Sequence, residues 1–243
     1  MTHHSRIEVL KGKLLAAAMG ALLSICAPAH ATLIGYQSKA TFDAAISGWT
    51  STSTNFESVP VGTMYNTGTG PVGSGFTLSL TGPDAPALRP TVANQFWTTS
   101  GTHYLGLNNP DTAFEAGDTL TFTLGTAVQA FGLFIIGNRD VLGGDMRLSA
   151  GTSSVVNGAI ANLTDGSGSF AYFLGLVSDD AGTFNSVRLD YSTLQPGDLL
   201  PIAVDDVALA LNDRAHPVPE PGTFAFTLMG LLLLGVLARR RIR

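Results

Sequence analysis

The chain holds 243 residues, of which only 13 % are charged, and it contains 28 Gly, 26 Thr and 3 Lys. Charge at about half the usual share of roughly 25 % excludes a coiled coil, a helical bundle and a charged disordered tail, and the Thr and Gly favour short strands joined by tight turns. The formal charge of −5 divides into +2 over residues 1–31, −11 over 32–221 and +4 over 222–243. The acidic middle has no clustered Lys and Arg with which to neutralise phosphates, so no nucleic acid is expected as a partner.

The chain opens with Arg6, Lys11 and Lys13, then an apolar stretch from Leu14 to Ile25, then Ala29-His30-Ala31. A positive start, a short apolar core and a small-x-small site predict a signal peptide over 1–31, cut by signal peptidase after Ala31. Two alternatives stand beside it: an uncleaved anchor, and a lipoprotein box at Leu23-Ser24-Ile25-Cys26, where Ile25 replaces the small residue wanted. Cys26 is the one cysteine. The remainder therefore forms no internal disulfide and no Cys-ligated metal site.

Residues 32–211 read as one all-β domain, a two-sheet sandwich or jelly roll with one short N-terminal helix. Ser38 or Thr41 can cap that helix, Asp43 falls in its first turn, Phe42, Ala45 and Ile46 share a face, and Gly48 ends it. Strands are then expected at Thr54 to Glu57, Phe76 to Leu80, Leu120 to Leu124, Val128 to Ile136, Met146 to Ala150, Ser153 to Asn157, Phe170 to Val177, Ser186 to Tyr191 and Ala203 to Leu211. Gly137-Asn138, Gly143-Gly144-Asp145, Asp165-Gly166 and Pro196-Gly197-Asp198 supply turns between them. Residues 212–217, poor in apolar side chains, are the expected stalk.

The motifs of chemistry are mostly near-misses. Gly68-Thr69-Gly70-Pro71-Val72-Gly73 spells the dinucleotide fingerprint, but no buried strand precedes it and Pro71 opposes a following helix, so a surface loop is expected. No G-x-S-x-G elbow occurs, and the region after the leader holds two histidines, His103 and His216. His103 with Asp111 is the one candidate base, and a surface-loop histidine is the plainer reading. Adjacent acids such as Asp179-Asp180 and Asp205-Asp206 point to opposite faces of a strand, so neither pair can flank one glycosidic bond. No enzyme is expected, and a secreted hydrolase is the weakest of the alternatives.

The chain ends on Val218-Pro219-Glu220-Pro221, an uncharged stretch Thr223 to Ala238, and Arg239-Arg240-Arg241-Ile242-Arg243. Two prolines bias the first part to an extended, uncapped backbone of the kind a protease cleft reads. The 16 uncharged residues make a helix of about 24 Å, slightly short of the hydrocarbon core of about 30 Å. Snorkelling arginines close the gap and keep the terminus cytoplasmic. This tail, 218–243 with a transmembrane helix over 223–238, closely resembles the PEP-CTERM sorting signal of Gram-negative bacteria. In that family the tag is recognised by exosortase, a membrane protease with a Cys-type site. Its members usually accompany exopolysaccharide and biofilm-matrix gene sets. The resemblance implies an exported protein, transiently anchored, whose final place is the cell surface or matrix.

Asn55-Phe56-Glu57, the stretch Ser100 to Gly106 and Ala203 to Val207 are similar to segments of tagged ectodomains with a lectin-like or galactose-binding-like sandwich. That likeness carries two expectations toward a carbohydrate-binding adhesin. Glu57 with Asp205 or Asp206 offers hard oxygen ligands for a structural calcium between an early strand and the last one. Trp97 and Tyr104 offer aromatic faces for sugar stacking, although the plainer reading is that Trp49 and Trp97 fill the core.

Overall fold

The computed structural model describes residues 32–82, 85, 87–108, 114, 117–138, 141–166, 168–179, 182–191 and 202–212. The expected leader with Ala29 and Ala31, the stalk past Asn212, the tail, Asp111, Asp180, His216 and the Pro196 turn lie outside these residues. In chain order the elements are β1 (Leu33–Tyr36), α1 (Lys39–Ala45), β2 (Thr50–Thr54), β3 (Phe76–Thr81), β4 (Pro90–Ala93), β5 (Tyr104–Leu107) and β6 (Thr119–Val128). There follow β7 (Ala130–Asn138), β8 (Met146–Ala150), β9 (Ser153–Val156), β10 (Leu163–Thr164), β11 (Ser169–Ser178), β12 (Phe184–Tyr191) and β13 (Ile202–Leu211).

They build the expected two antiparallel sheets. The first runs β1-β11-β7-β13-β5-β4, with β10 beside β11 and β2 beside β13; the second runs β3-β6-β12-β8-β9. Period-2 alternation explains the layering. Leu120, Phe122 and Leu124 of β6 point inward, with Thr119, Thr121 and Thr123 outward. The inward set meets Phe131, Leu133 and Ile135 of β7 in one core, where the Phe122 and Phe131 rings lie 5.1 Å apart. Each such side chain stabilises the sandwich by about 1.5–3 kcal/mol relative to exposure.

The outer face of the first sheet carries a second apolar cluster, covered by α1 and two loops. Phe42 of α1 is fully buried there against Phe173, ring centroids 5.1 Å apart, with Phe134 on the far side of Phe173 at 5.3 Å. Gly132 and Gly175 face each other across β7 and β11 and leave room for these rings. A Cβ on Gly175 would lie 2.5 Å from Phe42 Cδ2, and one on Gly132 would lie 2.7 Å from Phe173 Cζ. Gly175→Val should therefore displace α1 and cost about 1–3 kcal/mol. Urea denaturation followed by far-UV circular dichroism measures this, and an unchanged midpoint would show that Phe42 is not seated there.

β1, β4, β5 and β10 are not among the expected strands, and further details differ from the sequence expectation. The apolar run from Val128 to Ile136 is two strands, because the chain leaves the second sheet at Val128 and enters the first at Ala130. Gln129 bridges the step: its N–H donates to Ala210 O at 3.0 Å and its O accepts from Ser178 N at 2.7 Å. The strand expected at Thr54 to Glu57 lies earlier, at Thr50–Thr54, and Phe56 breaks from it with φ of 63°. Gly137 and Asn138 lie inside β7, paired with Phe170 and Ser169, and make no turn. Asp43 lies beyond the first turn of α1, where it binds Lys39 Nζ at 2.7 Å; Ser38 is the N-cap but makes no side-chain cap bond. Among the described residues no helix is long and apolar enough to cross a membrane; the span expected over 223–238 lies outside them.

Candidate functional site

β13 carries two consecutive aspartates in an otherwise apolar strand. Unbroken alternation would drive one of them into the inter-sheet core. A bulge between Asp205 and Ala208 adds a residue instead, so that Val204, Val207 and Leu209 all stay buried. Asp206 sits in the left-handed region at φ 48°, which a short polar side chain tolerates. The bulge falls where β13 changes neighbour: Val204 pairs with Leu105 of β5, and Val207 onward pairs with β2. The connection from β4 to β5, residues 94–103, passes over this point.

The carboxylates hold that connection. Asp205 is fully buried. Its Oδ2 accepts from Thr99 N at 3.0 Å, Thr99 Oγ at 2.8 Å and Ser100 N at 3.2 Å, and its Oδ1 accepts from Asp206 N at 2.8 Å. Asp206 accepts from Thr99 Oγ at 2.7 Å and Ser100 Oγ at 2.6 Å. Three residues on, Glu57 accepts from Thr102 N at 2.6 Å and from His103 N. Gly101 lies against it; a Cβ there would fall 2.2 Å from Glu57 Cδ, and its φ of +64° is one that side chains avoid.

The electrostatics of the two stations are opposite. The N–H groups of His103 and then Thr102 hold the Glu57 carboxyl below the usual carboxylate range. Burial, then the neighbouring Asp206 charge, pushes Asp205 up to about 6, against the relief given by its hydrogen bonds. Thr99 Oγ has one proton and lies within bonding distance of both aspartates, so a second proton or a cation is required for both contacts to be favourable.

The structure thus brings Glu57, Asp205 and Asp206 to one loop. They do not converge on one point: among the described residues, no three His, Cys, Asp or Glu side chains are grouped to hold a metal ion. His103 Nδ1 lies 3.2 Å from Phe56 O. The sugar-stacking pair is altered. Tyr104 is fully buried and its ring is stacked beneath Phe96, centroids 5.6 Å apart at 15°, so it offers no face to a ligand. Phe96, 40 % exposed, is the outer aromatic. Trp97 and Trp49 are half-buried against the second cluster. Thr99 and Phe96 carry no expectation from the sequence, and Ser100 only as the first residue of the lectin-like stretch Ser100 to Gly106. The fingerprint-like loop lies beside β3, where Leu78 N donates to Thr69 O at 2.7 Å.

Residues 217–241 match the PEP-CTERM protein-sorting motif. The tag marks the chain for export and for the surface or exterior of the cell, with exosortase as the processing partner. Among solved structures, the K2 cleaved adhesin domain of Lys-gingipain is similar over 67 % of this chain and 98 % of its own, at 15 % identity and a TM-score of 0.42. The catalytic unit of a thermostable GH87 α-1,3-glucanase from Streptomyces thermodiastaticus strain HF3-3 is similar over 68 % of this chain and 26 % of its own, at 16 % identity and a TM-score of 0.33. No curated protein matches the chain.

Proposed function

We propose that the protein is a non-enzymatic component of the cell surface or extracellular matrix of a Gram-negative bacterium, associated with exopolysaccharide. Signal peptidase removes 1–31, the span over 223–238 holds the chain transiently with its C-terminus cytoplasmic, and exosortase cuts at the tail. The observation that carries this reading is the order of the tail: Pro219-Glu220-Pro221, a short uncharged stretch, then Arg239-Arg240-Arg241. An epitope fused after Arg243 should be absent from surface-exposed protein and present in the unprocessed precursor. Its retention on surface protein would refute tail removal.

A second reading, a carbohydrate-binding adhesin with a structural calcium, is favoured by the Asp205–Asp206 pair. Two adjacent carboxylates share one hydroxyl proton, and no Lys or Arg is among the groups acting on Asp205. Hard, anionic oxygens of this kind suit Ca²⁺. Asp205 and Asp206 would hold it, and Glu57 would steady the next residues of the loop that carries Phe96 and Trp97. The pH response tests this. With chelator present, the folded-state value of about 6 for Asp205 lies above its unfolded value near 3.8. Its contribution to stability is therefore full below the lower value and is lost as pH rises through the upper one. In EDTA the melting temperature should fall between pH 5 and pH 7, and millimolar calcium should abolish the fall. Identical curves with and without calcium would remove the ion from the account.

A further inference from the structure

The outer face of the second sheet has no covering element among the described residues, in contrast to the first sheet with its helix. It is built from the outward positions of β3, β6, β12, β8 and β9. Cross-strand register lays them in rows, and the middle row reads Ser79, Thr121, Arg188, Ser149, Ser154. One flanking row holds Thr77, Thr123 and Ser186; the other holds Thr81, Thr119, the Asp190–Arg147 ion pair and Val156. At the usual strand spacings the rows cover about 19 Å across and about 14 Å along the strands.

Two properties set this face apart. Its Ser and Thr hydroxyls make no hydrogen bond within the protein among the described residues. Arg188 is exposed and, among the described residues, makes no ion pair or side-chain hydrogen bond, whereas Arg147 on the same face is paired with Asp190. Lys39 binds Asp43, Arg147 binds Asp190 at 2.8 and 3.0 Å, and Arg89 donates to the Ala85 and Leu88 carbonyls. In a region of net charge −11, the free guanidinium thus stands at the centre of a field of unspent hydroxyls. Outward Thr and Ser alone would follow from strand preference; the unpaired arginine among them does not.

We propose that this face binds an acidic polysaccharide laid across the strands, a carboxylate of the polymer on Arg188 and its hydroxyls on the surrounding Ser and Thr. Guanidinium matches carboxylate in a two-point fork, and hydroxyls that both donate and accept match sugar hydroxyls. The acidic remainder of the domain repels the polymer elsewhere and so confines it to this face. The proposal deepens the matrix reading above by naming the class of glycan, and it rests on that reading only for where the protein meets it.

Binding of the purified full-length chain in detergent to immobilised alginate and polygalacturonate, both uronate polymers, tests it without reference to tail processing. Carboxyl-reduced alginate and polyglutamate serve as comparisons. Retention on at least one uronate polymer is expected, with weak retention on both comparisons. Arg188→Gln should lose about tenfold in affinity, Thr121→Val should lose severalfold, and Lys39→Gln, at an exposed cation of α1 paired with Asp43, should bind as the parent does. The proposal is overturned by failure on both uronate polymers, by equal binding to polyglutamate, by full binding of Arg188→Gln, or by an equal loss in Lys39→Gln. Melting curves of Arg188→Gln and Thr121→Val, both changed at outward positions, should match the parent and show that any loss is local.

Discussion

An Asp205→Ala variant should melt about 6–12 °C below the parent. The carboxylate takes two amides and one hydroxyl of the 99–100 segment and the amide of Asp206. Truncation strands the three amides in a half-buried setting, at about 1–3 kcal/mol for each one left unpaired, while Thr99 Oγ keeps Asp206 as its acceptor. Release from the Asp206 charge offsets part of that loss, which leaves a net cost of about 3 kcal/mol. For a domain of this size each kcal/mol shifts the midpoint by about 2–4 °C. Asp206→Ala leaves only the Ser100 hydroxyl short of an acceptor, since Thr99 Oγ keeps Asp205 Oδ2, and it removes a like charge, so its loss should be smaller. Differential scanning calorimetry of the two variants separates them. Equal losses would mean that the bulge, rather than the hydrogen bonds of Asp205, is what the site requires. Trp97 fluorescence in a Trp49→Phe background should report local loosening of the same loop in Asp205→Ala.

Replacement of Pro219, Glu220 and Pro221 by Ala should leave export unchanged and block removal of the tail. The substitution keeps the uncharged stretch and the arginines, so insertion and orientation persist. It removes the extended bias and the single acid that a protease can read. The unprocessed form should then accumulate in the membrane fraction, heavier than the mature protein by the retained tail. Normal maturation of the triple variant would show that Pro-Glu-Pro is incidental to the anchor.

The parts of the fold that the sequence displayed are those governed by alternation with turns on both sides. Met146–Ala150 emerges at its observed limits because Gly143-Gly144-Asp145 precedes it and Gly151 follows it. β4 was hidden by Pro90 at its first position, since proline argues against a strand interior but tolerates a strand start. β5, four residues with Gly106 among them, is too short to show a period. The join at Gln129 was invisible for a different reason. Two buried strands in different sheets, separated by one residue, look like a single apolar run until the sheets are known.

The same limits apply to the site. Glu57, Asp205 and Asp206 stood out as hard oxygen ligands beside an early strand and in the last one, and the structure places all three at the 99–103 segment. Their partner Thr99 carried no signal among 26 Thr, and Ser100 stood out only as the start of the lectin-like stretch. Asp205-Asp206 was expected to show opposite faces of a strand. The bulge turns both toward Thr99, because tertiary pairing with β5 on one stretch and β2 on the next overrides the local period. Tyr104 was expected at a surface because its neighbours are polar, yet the strand it begins lies under Phe96.

Intact-mass spectrometry of the protein recovered from its native envelope and medium tests the sorting account most directly. The recovered chain should begin at Thr32 and lack Arg239-Arg240-Arg241, with or without an added group at the new terminus. A mass equal to the chain from Thr32 through Arg243, unmodified, would contradict it.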